Sequence, residues 1–231
     1  MKASFLSVAL LGAVAAVSVS FAGDPAPKTA GIEIEALKLK GDKVNGEEVY
    51  GVCGSCHMFS GGGRRDGSTP QLAGQHTTVL IKQMADISSG RRDNPAMYPF
   101  ATALSNPQEL ADLAAHIESL CIPTNNGKYE SDNAAAQIVK GKALYQRQCL
   151  ECHGTNGEGI KEKFYPVIAG QHYEYLLRQM TEIRDGHRRN ANPEMVTAIK
   201  PYTNDMLVAI SAYQASLKMP GAMCKEKAAK K

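Results

Sequence analysis

The apolar positions of this chain recur at intervals of three and four residues, which is the spacing of one face of a helix. No alternating apolar run is long enough to require a sheet. The clearest stripes are Val79, Leu80, Met84 and Ile87, and then Tyr175, Leu176, Met180 and Ile183. The sequence therefore predicts an all-α protein of short helices joined by Gly- and Pro-rich loops.

Four further helices are predicted from local signals. Two of them, over 46–53 and 141–149, lead into cysteine motifs. A third begins after Asn106, which has the features of an N-cap because Pro107 follows it and Glu109 stands three positions on. Thr203 is the predicted cap of the last helix.

The chain repeats itself at an interval of 96 residues. Cys53-Gly54-Ser55-Cys56-His57 returns as Cys149-Leu150-Glu151-Cys152-His153, and Leu72-Ala73-Gly74-Gln75-His76 returns as Ile168-Ala169-Gly170-Gln171-His172. Gln83-Met84 returns as Gln179-Met180. The repeat predicts two tandem domains, 23–124 and 136–231, separated by a linker over 125–135 that lacks helical periodicity.

The first 22 residues predict export. Lys2 precedes an apolar stretch over 5–19, and Ser20-Phe21-Ala22 fits the specificity of a signal peptidase, so cleavage is expected near Ala22 and the mature protein is expected in the periplasm. An uncleaved membrane anchor is the alternative, although the stretch is short for a span of about 20 residues.

Charge narrows the class of partner. The formal net charge is only +3, which argues against nucleic acid as a ligand. The lysine-rich run over 225–231 predicts a solvated tail on the second domain.

Cys-x-x-Cys-His favours covalent attachment of a haem, with the adjacent histidine on the iron. Each cysteine sulfur adds to a vinyl group, so Cys53 and Cys56 would anchor one haem c and Cys149 and Cys152 a second. A zinc ribbon is disfavoured, because its cysteine pairs lie roughly 15 to 20 residues apart. A thioredoxin-type pair would need a βαβ unit, and a module with three disulfides is the remaining alternative.

His57 and His153 are the predicted proximal ligands, and each iron needs a sixth ligand. Met97 and Met195 each follow a proline in a loop and are the predicted pair. Met84 and Met180 lie on the apolar stripe, where methionine usually fills the core. His76 and His172 are the rival pair, although a structural hydrogen-bonding role is expected for them, and His116 and His187 are expected at the surface.

Two other features remain open at this point. Arg91-Arg92 and Arg188-Arg189 either neutralise haem propionates or form a solvated face. Cys121 and Cys224 close their halves, and an oxidising compartment favours a disulfide between them over two free thiols or a cysteine on the iron.

These motifs resemble the dihaem class I cytochromes c of the c4 type over residues 32–121 and 136–224. The resemblance is carried by the haem motif, by Pro-x-(Leu/Ile)-Ala-Gly-Gln at 70–75 and 166–171, by Gln-Met and the Gly-x-Arg turn, and by the Met before the last helix. One departure is that Tyr50 stands three positions before Cys53, whereas Tyr145 stands four before Cys149.

The resemblance implies two cytochrome c folds related by a pseudo-twofold axis. It also implies that Cys53, Cys56, His57 and Met97 serve one haem, and that Cys149, Cys152, His153 and Met195 serve the other. The expected function is relay of single electrons from a respiratory donor, such as a quinol-cytochrome c reductase or a small copper or cytochrome carrier, to a terminal oxidase, with peripheral membrane association open. A dihaem enzyme of the thiosulfate dehydrogenase or peroxidase kind is the alternative.

Overall fold

We describe the structure, a computed structural model, over residues 30–225. This part of the chain contains ten α-helices and one 3₁₀-helix. The first half holds α1 (Ala30–Ala36), α2 (Lys43–His57), α3 (Thr77–Ser88), α4 (Tyr98–Ala103) and α5 (Pro107–Ser119). The second holds α6 (Ala134–Gln148), α7 (Leu150–His153), the 3₁₀-helix Lys161–Lys163, α8 (Tyr173–Arg184), α9 (Pro193–Ile199) and α10 (Asn204–Ser216).

The all-α prediction is confirmed. Over residues 30–225 the only β-type pairings are two isolated bridges, Ile122 with Met223 and Ile160 with Tyr165. Both predicted caps are also present, because Asn106 accepts from the Gln108 N–H and Thr203 from the Met206 N–H. None of the helices described is long and apolar enough to cross a membrane.

The first long helix of each domain crosses the last one at a glycine. A Cβ at Gly46 would overlap the Asp112 carbonyl of α5, and a Cβ at Gly141 would overlap the Ala209 carbonyl of α10. Only glycine therefore allows α2 and α5, and α6 and α10, to pack backbone against backbone.

A buried tyrosine follows each of these glycines by one turn. The Tyr50 ring lies 5.3 Å from His116, and the Tyr145 ring lies 5.2 Å from Tyr213. His116 is therefore not at the surface as the sequence predicts; it is 8% exposed because it occupies the place that Tyr213 takes in the second domain. His187 is exposed, as expected.

The unequal spacing of the two tyrosines is absorbed by a break in one helix. α2 runs unbroken through the first cysteine motif, whereas Cys149 separates α6 from α7. Both tyrosine hydroxyls still donate to the carbonyl that follows the motif histidine, at 2.9 Å for Tyr50 to Met58 and 2.7 Å for Tyr145 to Gly154. The extra residue thus leaves the tyrosine contact unchanged.

The chain between α5 and α6 is packed into the interface between the two halves. Ile122 is 0% exposed, and a Cβ on either Gly74 or Gly170 would meet its side chain. These two glycines are equivalent in the repeat. Ile122 therefore lies between the two halves and contacts the same position in each of them. Asn126 is also buried and donates to the carbonyls of Gln171 and Ala215.

The expected disulfide is present. Cys121 and Cys224 are bonded, with their Cα atoms 4.9 Å apart, and thus join the end of the first half to the end of the second. Beside it, the Ile122 N–H donates to Ala222 O and the Cys224 N–H donates to Ile122 O, both at 2.8 Å. The predicted signal peptide and most of the basic tail lie outside the described residues.

Met58 has the backbone conformation of a glycine, with φ 63° and ψ 149°. Its counterpart Gly154 has φ 74° and ψ 171°. This region costs a non-glycine residue about 1–3 kcal/mol. Replacing Met58→Gly should therefore raise the free energy of unfolding by about 1 kcal/mol, after the entropy of the added glycine is subtracted.

Denaturant unfolding of the full-length protein measures this change. The control is Gly154→Ala, which places a side chain in the same conformation and also against the Glu158 carboxylate, and which should lower stability by at least as much. If both substitutions lower the free energy of unfolding, the Met58 side chain stabilises the fold by more than its backbone conformation destabilises it.

Candidate functional site

The two cysteine motifs occupy equivalent places beside the domain cores. Cys53 and Cys56 lie on α2, while Cys149 caps α7 and Cys152 lies within it. All four are free of disulfide bonds. His57 and His153, at the ends of these helices, are only 5% and 8% exposed. Each motif thus brings two thiols and one buried imidazole to one place.

Both histidines are held by a proline carbonyl. His57 Nδ1 lies 3.0 Å from Pro70 O, and His153 Nδ1 lies 3.3 Å from Pro166 O. Burial lowers the pKa of both imidazoles and so favours the neutral form, which is the form that binds metals. Within residues 30–225, neither Nε2 atom has a hydrogen-bond partner, so the ring nitrogen that would face an iron is free in both domains.

The predicted methionine pair lies at short helices. Met97 caps α4, and Met195 lies in the first turn of α9, whose cap Asn192 accepts from Glu194 N. Both side chains are half-buried. The rival methionines, Met84 and Met180, pack into the hydrophobic cores of the first and second domain.

His76 and His172 contact the partner domain. His76 Nε2 lies 2.8 Å from Glu158 O in the second domain, and His172 Nε2 lies 2.8 Å from Gly62 O in the first. The Gly127 N–H donates to His172 Nδ1 at 3.0 Å, so the proton of this neutral ring is on Nε2. The expected structural role is confirmed, and each histidine performs it across the interface between domains.

The glutamines before these histidines form a second pair of crossed contacts, in which a side chain of each domain binds the backbone of the other. These contacts were not predicted from the sequence. Gln171 accepts from Gln71 N at 3.0 Å and donates to Gln71 O at 2.9 Å. Gln75 does the same with Val167, accepting from its N–H and donating to its carbonyl, both at 2.9 Å. Gln71 and Val167 are equivalent in the repeat, so every contact has a counterpart with the domains exchanged. The only signal in the sequence is that Ala-Gly-Gln-His recurs without any role in haem attachment.

Two arginines meet on the same interface. Arg92 donates to Gln83 Oε1 at 2.8 Å and to Gln179 Oε1 at 3.0 Å. Arg188 donates to Gln179 Oε1 at 2.9 Å and to Gln83 Oε1 at 3.1 Å. Each guanidinium thus binds one glutamine from its own domain and one from the partner domain, and the true repeat pair is Arg92 with Arg188.

This arginine pair fits a group that carries carboxylates. In the described part of the chain, neither Arg92 nor Arg188 forms a salt bridge, and burial together with Arg92 lowers the pKa of Arg188 to about 10. Two half-buried positive charges side by side require compensation. Haem propionates would supply it through forked hydrogen bonds.

The other two arginines of the adjacent pairs, Arg91 and Arg189, make different contacts. Arg91 pairs with Asp86 at 2.6 Å and Glu33 at 2.8 Å, and exposed Arg189 donates to Gly90 O. In the first adjacent pair only Arg92 contacts the other domain, whereas Arg188 and Arg189 both contact the first domain.

Comparison with known proteins identifies the family. The sequence profile of the cytochrome c family matches residues 44–121 and 138–218, once in each domain. Cytochrome c4 of Pseudomonas aeruginosa is 34% identical over 181 residues, which are 75% of this chain and 87% of that protein. This chain belongs to the cytochrome c4 family. The predicted family, the two tandem cytochrome c domains and the two covalently bound haem c groups are thereby confirmed.

Two further similar proteins cover most of this chain. The reduced cytochrome c4 of Pseudomonas stutzeri superimposes with a TM-score of 0.67 at 29% identity, covering 77% of this chain and all of that one. The thiosulfate dehydrogenase electron acceptor of Stutzerimonas stutzeri is 29% identical over 203 residues, covering 81% of this chain and 93% of that protein. Membership in this family makes the chain an electron-transfer protein.

We expect His172 to make the stability of the protein depend on pH. Burial lowers its pKa, and Arg65 and Lys128 act in the same direction, against Asp66 and the bond to Gly62. The unfolded chain therefore takes up a proton near pH 6.5 that the folded protein resists. Stability should fall as the pH drops below about 6.5, with a slope of up to about 1.4 kcal/mol per pH unit.

Thermal unfolding between pH 8 and 5 tests this expectation. His172→Gln should flatten the pH dependence, while His187→Gln, at an exposed position, should retain it. Glu118 acts in a separate, more acidic range, because the hydrogen bonds from Lys161 and from the Thr77 N–H outweigh its burial and lower its pKa to about 2. An unchanged slope in His172→Gln would show that protonation of this ring does not oppose folding.

Proposed function

We propose that this protein is a periplasmic electron carrier that relays single electrons between a respiratory donor and a terminal oxidase. In this proposal Cys53 and Cys56 anchor the first haem and Cys149 and Cys152 the second. The iron ligands are His57 with Met97, and His153 with Met195. Each haem, when bound, supplies a one-electron Fe(III)/Fe(II) couple.

The observation that supports a carrier is the equivalence of the two histidine sites. His57 and His153 are both buried, both neutral and both oriented through Nδ1 by a proline carbonyl. A methionine stands at the start of a short helix in each domain. Two sites of the same kind, each with two protein ligands, leave no iron position open for a substrate.

The donor is a protein with its own redox centre. A quinol-cytochrome c reductase or a small copper or cytochrome carrier fits the respiratory assignment. The similarity to a thiosulfate dehydrogenase electron acceptor adds that enzyme to the candidate donors. The alternative function, a dihaem enzyme with one catalytic haem, would require the two iron sites to differ in their ligands.

The first test concerns the cofactors of the exported protein. Its intact mass should exceed that of the cleaved chain by about 1.2 kDa, because thioether bonds retain both haems under denaturing conditions. The reduced-minus-oxidised spectrum should show low-spin c-type bands, and carbon monoxide should leave the reduced spectrum unchanged. Rapid binding of carbon monoxide at one iron would favour the enzyme over the carrier.

The second test assigns the methionines. Ferric haem with an axial methionine has a weak long-wavelength absorption band, so Met97→Ala and Met195→Ala should each remove about half of it, one of two equal sites. Met84→Leu and Met180→Leu are the matched controls and should keep the full band. A variant of Met97 or Met195 that retains the whole band would exclude that methionine as a ligand.

A further inference from the structure

Each haem histidine is oriented by a backbone carbonyl, and the residue after that carbonyl is held by the other domain. Pro70 O faces His57 Nδ1, and the next residue is Gln71, whose N–H and carbonyl are both bound by Gln171. In the other direction, Pro166 O faces His153 Nδ1, and the next residue is Val167, bound on both sides by Gln75.

The glutamine amides are themselves fixed. Gln171 Oε1 also accepts from His172 N at 3.1 Å, and Gln75 Oε1 accepts from His76 N at the same distance. Gln71, Val167 and Gln171 are buried, so water does not replace these bonds. A fixed amide that binds both polar groups of one residue sets the orientation of the adjoining peptide group.

That peptide group contains the proline carbonyl. The hydrogen bond from a ligating imidazole to a carbonyl fixes the plane of the ring and raises its basicity, which favours the ferric state. Its strength depends on where the carbonyl points, and the partner domain controls this direction.

We propose that Gln171 and Gln75 are crossed positioning residues: Gln171, in the second domain, tunes the haem of the first domain through Pro70 and His57, and Gln75, in the first, tunes the haem of the second through Pro166 and His153. This inference rests on the proposed assignment of His57 and His153 as iron ligands.

The test is the midpoint potential of each haem in full-length protein with both haems bound. Haem-methyl NMR signals followed through a redox titration resolve the two groups, and the Met97→Ala spectrum identifies those of the first domain. Gln171→Leu should raise the potential of the first-domain haem and leave the other unchanged. Gln75→Leu should raise the potential of the second-domain haem and leave that of the first-domain haem unchanged. If either leucine variant fails to fold, Gln171→Asn and Gln75→Asn withdraw the amide by one methylene and should give the same crossed pattern.

Thr78→Val is the matched control. It removes another hydrogen bond between the domains, from Thr78 Oγ1 to Lys161 O at 2.7 Å, at a position that does not adjoin either proline carbonyl. It should shift neither haem selectively. A shift of the haem in the mutated domain, an equal shift of both, or no shift at all would each overturn the proposal.

The ligand assignment is tested separately by the unmodified protein. If its ferric spectrum lacks the signature of histidine-methionine ligation, the proposed function fails before any glutamine variant is examined. If that signature is present and the crossed shifts are absent, only the role of the glutamines is wrong.

Discussion

The structure depends on hydrogen bonds that run from a side chain of one domain to the backbone of the other. Buried peptide groups need partners, and the segments around Gln71 and Val167 have no strand or helix of their own to supply them. Gln171 and Gln75 meet that need. The same segments carry the carbonyls that orient His57 and His153, so the contacts that dock the two domains also fix the surroundings of these two histidines.

The hydrogen bonds that cross the interface follow the pseudo-twofold relation closely, whereas contacts within each half do not. His76 and His172 make the same crossed bond, yet His76 Nδ1 lies 3.7 Å from the Glu118 carboxylate, whereas His172 Nδ1 accepts the Gly127 N–H. Beside the first haem motif, Val52, Met58 and Phe59 are exposed apolar side chains, and the repeat puts Gln148, Gly154 and Thr155 in their places. The two domains therefore present equivalent buried histidines behind different surfaces.

Many features of the fold and of the candidate site could be predicted from the sequence because they depend on residues close together in the chain. Helix caps such as Asn106 and Thr203, the apolar stripes and the haem motifs are all read within one turn or loop, and the repeat then gives two domains. The crossed contacts join residues about 100 positions apart, and no local pattern indicates them. The arginines show the same limit: the 96-residue repeat pairs Arg92 with Arg188, but only the three-dimensional contacts reveal that each of them binds both Gln83 and Gln179. The break at Cys149 also follows from packing, since Tyr145 must still reach Gly154.

The position of the arginine pair limits what it can do for electron transfer. A positive charge near a haem stabilises the reduced form, because reduction adds a negative charge. Arg92 and Arg188, however, each bind Gln83 of the first domain and Gln179 of the second, so their field acts on both sites. Bound to haem propionates, such a pair would raise both potentials together and would not favour electron flow in either direction. A difference in potential between the haems would arise where the repeat is broken, and such places include Glu118 and Lys161 near His76, Lys128 near His172, and the unequal surfaces beside the two cysteine motifs.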